Sequence, residues 1–166
     1  MSGPTLTSTL RSPALLLASW GGVGLSPIAP GTVGSIFALP LCLWIVSTSL
    51  VWVLLLAGLL WVAGTWSAAK AGSAWGQVDH PAIVIDEVLG QLIAIAIPWF
   101  WSDGVASPLW LAASGFFFFR CFDIAKPWPI RQVDRAWKTP SGVMFDDVAA
   151  GIFAGVVTTA AVTLAN

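Results

Sequence analysis

The sequence predicts an all-α fold in one domain over residues 1–166: a polytopic membrane helical bundle of two short hairpins plus a C-terminal helix. Apolar residues make up 57% of the chain and charged residues only 9%, against about 25% charged in a typical soluble domain. The 58 residues from 12 to 69 contain no Asp, Glu, Lys or Arg, and uncharged apolar stretches of about 18 residues or more are typical of membrane spans. Twelve of the 15 charged residues lie within 79–87 and 120–147.

The first predicted hairpin lies in the apolar run 34–66, which is longer than one span requires. Ser47-Thr48-Ser49 is a polar turn signal inside this run, so we expect arms over Gly34–Val46 and Leu50–Trp66. Before it, residues 21–35 are rich in Gly and Pro and form a predicted N-terminal loop. Such backbone ahead of a helix can offer N–H groups to a phosphate, and a close-packed structural turn is the alternative interpretation.

The second predicted hairpin turns at Ser102-Asp103-Gly104, between arms over Ile83–Trp101 and Val105–Phe119. A final helix is expected over Phe145–Leu164. At about 1.5 Å per residue these arms are about 20–30 Å long, so several are short for a hydrocarbon core of about 30 Å. Both hairpins would open toward one side that carries all seven Lys and Arg, and the positive-inside rule makes that side cytoplasmic.

Acidic side chains stand at the predicted cytoplasmic ends of the spans. They are Asp86 and Glu87 before the second hairpin, Asp123 after it, and Asp146 and Asp147 at the last helix. Ionisable residues within apolar membrane sequence are costly and usually mark function. Acids at one level repel one another unless a cation neutralises them, and oxygen ligands suit Mg²⁺. We therefore predict that these five carboxylates form a catalytic Mg²⁺ site.

The two pairs of adjacent acids allow a prediction about their separate roles, and they also have an alternative explanation without a metal. Neighbouring residues on a helix do not share a face, so each adjacent pair is expected to divide its roles between direct metal ligation and the surroundings of the metal. The alternative is that acids near helix N-termini interact favourably with the helix dipole, by ~0.3–1 kcal/mol. That alternative explains both adjacent pairs but not Asp123, which follows a predicted helix.

Basic residues follow the second hairpin, and Arg120, Lys126 and Arg131 are the candidate phosphate ligands among them. Arg and Lys bind phosphate while acids hold a metal, so this mixture predicts a phosphorylated substrate. Thr32 and Ser35, in the Gly/Pro-rich segment, are further candidates for the phosphate. The alternative is a basic loop attracted to anionic lipid, at about 1 kcal/mol per cation near the surface. The net charge of −1 provides no basic surface for nucleic acid.

His80 is the only histidine in the chain and lies six residues before Asp86. An imidazole titrates near neutral pH, so His80 is a candidate general acid or base. A loop histidine that makes structural hydrogen bonds is the alternative.

Four segments together carry a family resemblance. They are GLSPIAPGTVGS at 24–35, DHPAIVIDEVLG at 79–90, FRCFDIAKPWPIR at 119–131 and GVMFDDVAAG at 142–151. In this order they resemble the phosphatidylglycerophosphatase A family, and the resemblance spans about residues 22–155. The chain departs from the family pattern at residues 139–141, Thr-Pro-Ser, where more glycine is expected, so the departure concerns a loop and not the acids.

The resemblance implies an Mg²⁺-dependent phosphatase of the bacterial inner membrane that converts phosphatidylglycerophosphate into phosphatidylglycerol and phosphate. Direct attack by water is the preferred mechanism, and an aspartyl-phosphate intermediate is the alternative. Two other classes stay open from the residues alone. A small transporter or channel component would place its acids near the bilayer centre. A scaffold that binds anionic lipid would tolerate replacement of Asp86 or Asp146 by Asn.

Overall fold

The structure is a computed structural model that describes residues 4–102 and 107–165. Over these residues the secondary structure is helical, without strands, which confirms the predicted all-α class. The helices are α1 (Leu6–Leu10), α2 (Pro13–Ala18), α3 (Pro30–Val46), α4 (Leu50–Trp75), α5 (Ile85–Trp101), α6 (Pro108–Ala125), α7 (Ile130–Ala136) and α8 (Pro140–Ala165), with a short 3₁₀ turn at Val23–Leu25.

Helices α4, α6 and α8 are long and apolar enough to cross a membrane. At about 1.5 Å per residue, the 26 residues of α4 extend over about 39 Å. Helix α3 is also apolar but has only 17 residues. Large apolar side chains such as Leu55, Leu59 and Val62 of α4 are exposed, as expected of surfaces that face lipid.

The break predicted at residues 47–49 is present, because α3 ends at Val46 and α4 begins at Leu50. Two boundaries differ from the prediction. Helix α3 begins at Pro30, so the Gly/Pro-rich loop ends at Ala29; proline is well tolerated in the first turn, where its missing N–H is not needed. Helix α4 continues nine residues beyond Trp66, through small residues that pack in the core.

The second half of the chain also differs from the prediction at its helix ends. Helix α6 continues to Ala125 rather than ending at Phe119. Helix α8 begins at Pro140 rather than Phe145, and Thr139 supports this start because its Oγ1 accepts from the N–H of Gly142 at 3.2 Å. Short α7, between them, was not predicted. The turn expected at 102–104 and the arm start at Val105 fall largely on residues 103–106, outside the described residues.

Helix α5 is the centre of the bundle, and it packs against α3, α4, α6 and α8. Its crossing with α8 is close at Gly90 and Gly151. A Cβ at Gly90 would lie 2.7 Å from the carbonyl oxygen of Asp147, and a Cβ at Gly151 would strike the carbonyl oxygen of Gly90. Small residues of this kind let membrane helices approach closely. Asp86 and Asp147 each precede one of these glycines by four residues, about one turn, so the crossing brings the acidic ends of both helices together.

Candidate active site

A cavity of about 300 Å³ lies where the N-terminal ends of α3, α5 and α8 meet the C-terminal end of α6. Five acids, two cations and one hydroxyl predicted from the sequence line it. They are Asp86, Glu87, Asp123, Asp146, Asp147, Arg120, Lys126 and Thr32. Tertiary packing therefore brings together charged groups that are up to 61 residues apart in the chain.

Three of the acids form a tight cluster. One carboxylate oxygen from each of Asp86, Glu87 and Asp147 lies within 4.8 Å of the other two. Asp86 is 7% exposed and Asp147 is 3% exposed. Each of the three has a buried carboxylate oxygen that finds no hydrogen-bond partner among the described residues. Buried charge without a partner is costly, and three carboxylates at this spacing, each with an oxygen that has no partner among the described residues, fit a small divalent cation such as Mg²⁺.

Within the adjacent pairs, Asp146 and Asp147 make different contacts, whereas Asp86 and Glu87 reach the same cluster. Asp146 accepts a hydrogen bond from Lys126, whereas Asp147 belongs to the cluster. Asp86 and Glu87 both reach the cluster although they are neighbours. Both lie in the first turn of α5. The Glu87 side chain is longer than that of Asp86, so its carboxylate can reach the cluster from the neighbouring position.

The two cations of the cavity are each paired with acids. Arg120 Nη1 donates to Asp123 Oδ2 and lies 4.0 Å from Glu87 Oε1. Lys126 Nζ donates to Asp146, and it lies 3.0 Å from Oδ1 of Asp134 on α7. The cavity thus holds positive groups directly beside the acidic cluster.

Lys126 is held in place by its backbone and by both carboxylates. It ends α6 with φ 41°, in the left-handed region that is strained for residues with a side chain. Burial lowers the pKa of Lys126, but its hydrogen bonds and attraction to Asp146 and Asp134 outweigh burial, so this pKa lies above its ordinary value. Lys126 is therefore positively charged at neutral pH, ready to attract an anion.

We expect Lys126→Gln to lower kcat/KM about 100-fold, since it removes a cavity cation and leaves the buried Asp146 without its partner. Lys138→Gln is the matched control, because Lys138 Nζ lies 3.1 Å from the same Asp134 but does not line the cavity. Steady-state phosphate release measures both variants. Equal losses in the two would contradict a role for Lys126 in the cavity.

The first turn of α3 approaches the charged groups through a glycine. A Cβ at Gly31 would strike Glu87 Oε1 and lie 3.3 Å from Arg120 Nη1. Gly31 and Thr32 both line the cavity, and the first N–H groups of a helix have no partner within it. The N-terminal end of α3 can therefore donate to an anion beside Arg120.

Three sequence-predicted residues do not line the cavity. Ser35 is fully buried, and its hydroxyl donates to the carbonyl oxygen of Gly31 at 2.8 Å. Arg131 is exposed and donates to the carbonyl oxygen of Ala125 at 3.2 Å. His80 Nδ1 accepts from the N–H of Ala82 at 3.1 Å. Partial burial lowers the His80 pKa, so at neutral pH the ring is neutral and structurally engaged, as in the alternative interpretation.

Sequence reasoning missed Asp79, Gly31 and Asp134. Asp79 lines the cavity, and the sequence feature that could have indicated it is its position directly before His80. Gly31 lies within the Gly/Pro-rich segment, but nothing in the sequence distinguishes it from the other glycines there. Asp134 lies among basic residues of a loop, and only the fold shows that it holds Lys126.

Comparisons with known proteins find one matching family and several similar proteins. The family described as PgpA, phosphatidylglycerophosphatase A, matches residues 16–162, which include every residue of the cavity. Phosphatidylglycerophosphatase A of Escherichia coli K12 is 39% identical over 155 residues, covering 89% of this chain and 83% of the relative. Its namesake in Haemophilus influenzae Rd is 37% identical over 160 residues, covering 94% and 93%.

A third relative carries a different name. The putative phosphatidylinositol-3-phosphatase of Bacteroides thetaiotaomicron is 34% identical over 158 residues, covering 86% of this chain and 89% of the relative. No solved structure matches the chain. The family match over most of the sequence, together with three apolar helices of membrane-crossing length, shows that this membrane protein belongs to the phosphatidylglycerophosphatase A family.

Proposed function

We propose that the protein is an Mg²⁺-dependent phosphatase that hydrolyses phosphatidylglycerophosphate to phosphatidylglycerol and phosphate, at the cytoplasmic face of the bacterial inner membrane. The observation that carries the proposal is the cavity itself. Buried carboxylate oxygens that have no hydrogen-bond partner among the described residues line it together with Arg120 and Lys126, at one end of an apolar helical bundle. Two relatives are named phosphatidylglycerophosphatase A, and we take the lipid substrate from their names.

The side chains of the cavity divide into two groups by charge. Asp86, Glu87 and Asp147 would hold Mg²⁺, and Arg120 and Lys126, with the first turn of α3, would bind the phosphate. A Mg²⁺ ion held by these carboxylates would neutralise charge on the phosphoryl oxygens and would make water a better nucleophile. We propose direct attack by water on phosphorus: the new P–O bond forms as the P–O bond to the glycerol breaks, the water gives up a proton, and the glycerol oxygen takes one. Arg120 and Lys126 would stabilise the negative charge that develops on the phosphoryl group in the transition state.

The cavity lies at the end of the bundle that carries α7 and its basic residues. Arg131, Arg135 and Lys138 lie on or just after α7, between membrane-crossing α6 and α8. By the positive-inside rule, the basic residues at this end support a cytoplasmic location for the cavity. The acyl chains of the substrate would then stay in the bilayer while its terminal phosphate reaches the cavity.

The position of the acids favours an enzyme over a transporter. Asp86 and Glu87 lie in the first turn of α5, Asp123 in the last turn of α6, and Asp147 in the second turn of α8. An ion path through the membrane needs polar groups near the bilayer centre. These acids lie instead near the ends of their helices, and those helix ends meet at one end of the bundle.

The experiment that tests the proposal is phosphate release by the purified protein in detergent. We expect release from phosphatidylglycerophosphate with Mg²⁺ and less than about 1% of it with EDTA, because each 1.36 kcal/mol of lost transition-state stabilisation is about tenfold. Phosphatidylinositol 3-phosphate, suggested by the name of one relative, is the competing substrate. Equal rates with EDTA would contradict the metal dependence, and preference for the inositol lipid would contradict the proposed substrate.

A further inference from the structure

The outer edge of the cavity is apolar and exposed, although the cavity itself is charged. Ile124 lines the cavity and is 70% exposed. Ile28 precedes the cavity-lining Ala29 and is 77% exposed. Single exposed apolar residues are common on proteins, but one of these two lines a site built from charged groups and the other directly precedes a residue that lines it. A purely water-soluble substrate would leave both in contact with water.

A cation with no acidic partner lies beside this edge. Arg131 Nη2 donates to the carbonyl oxygen of Ala125, the residue after Ile124, and Arg131 is exposed. Across residues 4–102 and 107–165, no carboxylate lies within 4.0 Å of its side-chain nitrogens. Arg120 and Lys126, inside the cavity, are both paired. The charge of Arg131 is therefore available to an anion outside the cavity.

This edge lies at the end of a helix that is long and apolar enough to cross a membrane. Helix α6 is long and apolar enough to cross the bilayer, and Ile124 lies in its last turn. Trp128, four residues later, is 76% exposed, and exposed Trp is enriched at membrane interfaces. A lipid could therefore reach the cavity sideways from the bilayer, past the end of α6. We call Ile28, Ile124 and Arg131 the lip.

We propose that the lip seats the part of the substrate that is not hydrolysed, its diacylglyceryl phosphodiester. Ile28 and Ile124 contact the glycerol backbone and the first acyl carbons, and Arg131 pairs with the phosphodiester. The inference rests on the proposed function and adds a second phosphate site outside the cavity. It specifies a substrate that carries a terminal phosphomonoester, an inner phosphodiester and acyl chains.

Three substrates distinguish the contact of the lip with the acyl chains from its contact with the phosphodiester. They are long-chain phosphatidylglycerophosphate, its deacylated headgroup, which keeps both phosphates, and glycerol 3-phosphate, which keeps only a monoester. For Ile28→Ser with Ile124→Ser, we expect the ratio of kcat/KM for the lipid to that for the headgroup to fall about tenfold, the factor for about 1.4 kcal/mol. For Arg131→Gln, we expect the ratio of headgroup to glycerol 3-phosphate to fall about tenfold.

Leu109→Ser is the matched control, because Leu109 is 78% exposed at the opposite end of α6. Its lipid-to-headgroup ratio should equal that of the unaltered protein. Binding of the lipid to each variant in detergent, measured without turnover, gives a second readout. Unchanged ratios and unchanged lipid affinity in the lip variants would overturn the proposal. If the unaltered protein released no phosphate but bound the lipid through the lip, the proposed function would fail while the lip remained.

Discussion

Asp86→Asn is expected to lower kcat about a thousandfold while the protein stays folded, and Asp147→Asn should do the same. Each change removes a negative oxygen from a cluster whose three carboxylates lie within 4.8 Å of one another. A metal contributes several kcal/mol to transition-state stabilisation, and about 4 kcal/mol corresponds to about a thousandfold in rate. Phosphate release in Mg²⁺ measures the loss.

Thermal melting distinguishes a lost metal site from a damaged fold. A ligand that binds only the folded state raises the melting temperature, so Mg²⁺ should stabilise the unaltered protein but not Asp86→Asn. In EDTA, Asp86→Asn should melt at or above the unaltered protein, because it removes one of several repelling, buried negative charges. A lower melting temperature in EDTA would contradict this and indicate a structural role for Asp86.

Asp134→Asn is the matched control for this experiment. It removes the same charge from a carboxylate that does not line the cavity. Its only described bonds are to Lys126 and Lys138, so we expect a loss below about tenfold and an unchanged stabilisation by Mg²⁺. A loss as large as that of Asp86→Asn would show that general charge balance, rather than the cluster, controls activity.

Gly151→Leu is expected to abolish activity and to destabilise the bundle. A Cβ at residue 151 would strike the carbonyl oxygen of Gly90, and backbone cannot move aside as a flexible side chain can. Overpacking of this kind costs about 1–3 kcal/mol or more. The larger residue forces α8 away from α5 and separates Asp147 from Asp86. Melting temperature and phosphate release should therefore fall together.

Gly58→Leu provides the matched control for the helix crossing. Gly58 lies in α4, and a Cβ there would have no neighbour within 4 Å. The same substitution should leave melting temperature and activity close to those of the unaltered protein. If Gly151→Leu kept the melting temperature and activity of the unaltered protein, the close crossing of α5 and α8 would not be what brings the site residues together.

The charged residues of the site could be predicted because they are rare in this chain. A carboxylate in an apolar sequence costs so much that its presence points to a function, and all five predicted acids line one cavity. Helix ends could not be predicted as well. Residues near Pro30, Pro140 and Ala125 are compatible with both loop and helix by local preference, and packing against neighbouring helices decides between them.

The roles of individual side chains depended on the tertiary structure. Ser35 and Thr32 are equally polar and lie three positions apart in the same segment, but the packing around α3 buries Ser35, which donates to Gly31, while Thr32 lines the cavity. Arg131 and Arg120 carry the same side chain, but Arg131 follows the end of α6, lies outside the cavity and has no acidic partner among the described residues.

The sequence by itself determined the class of the protein, since scarce charge and long apolar runs indicate a membrane helical bundle, and it selected the five acids that line the cavity with Arg120 and Lys126. The tertiary structure decided how they are joined. The close crossing at Gly90 and Gly151, together with Gly31 against Glu87, brings α3, α5 and α8 near enough for the acids of α5 and α8 to share one cavity with the charged end of α6. That contact depends on the absence of side chains at positions far apart in the chain, and local sequence preferences carry no signal for such a contact.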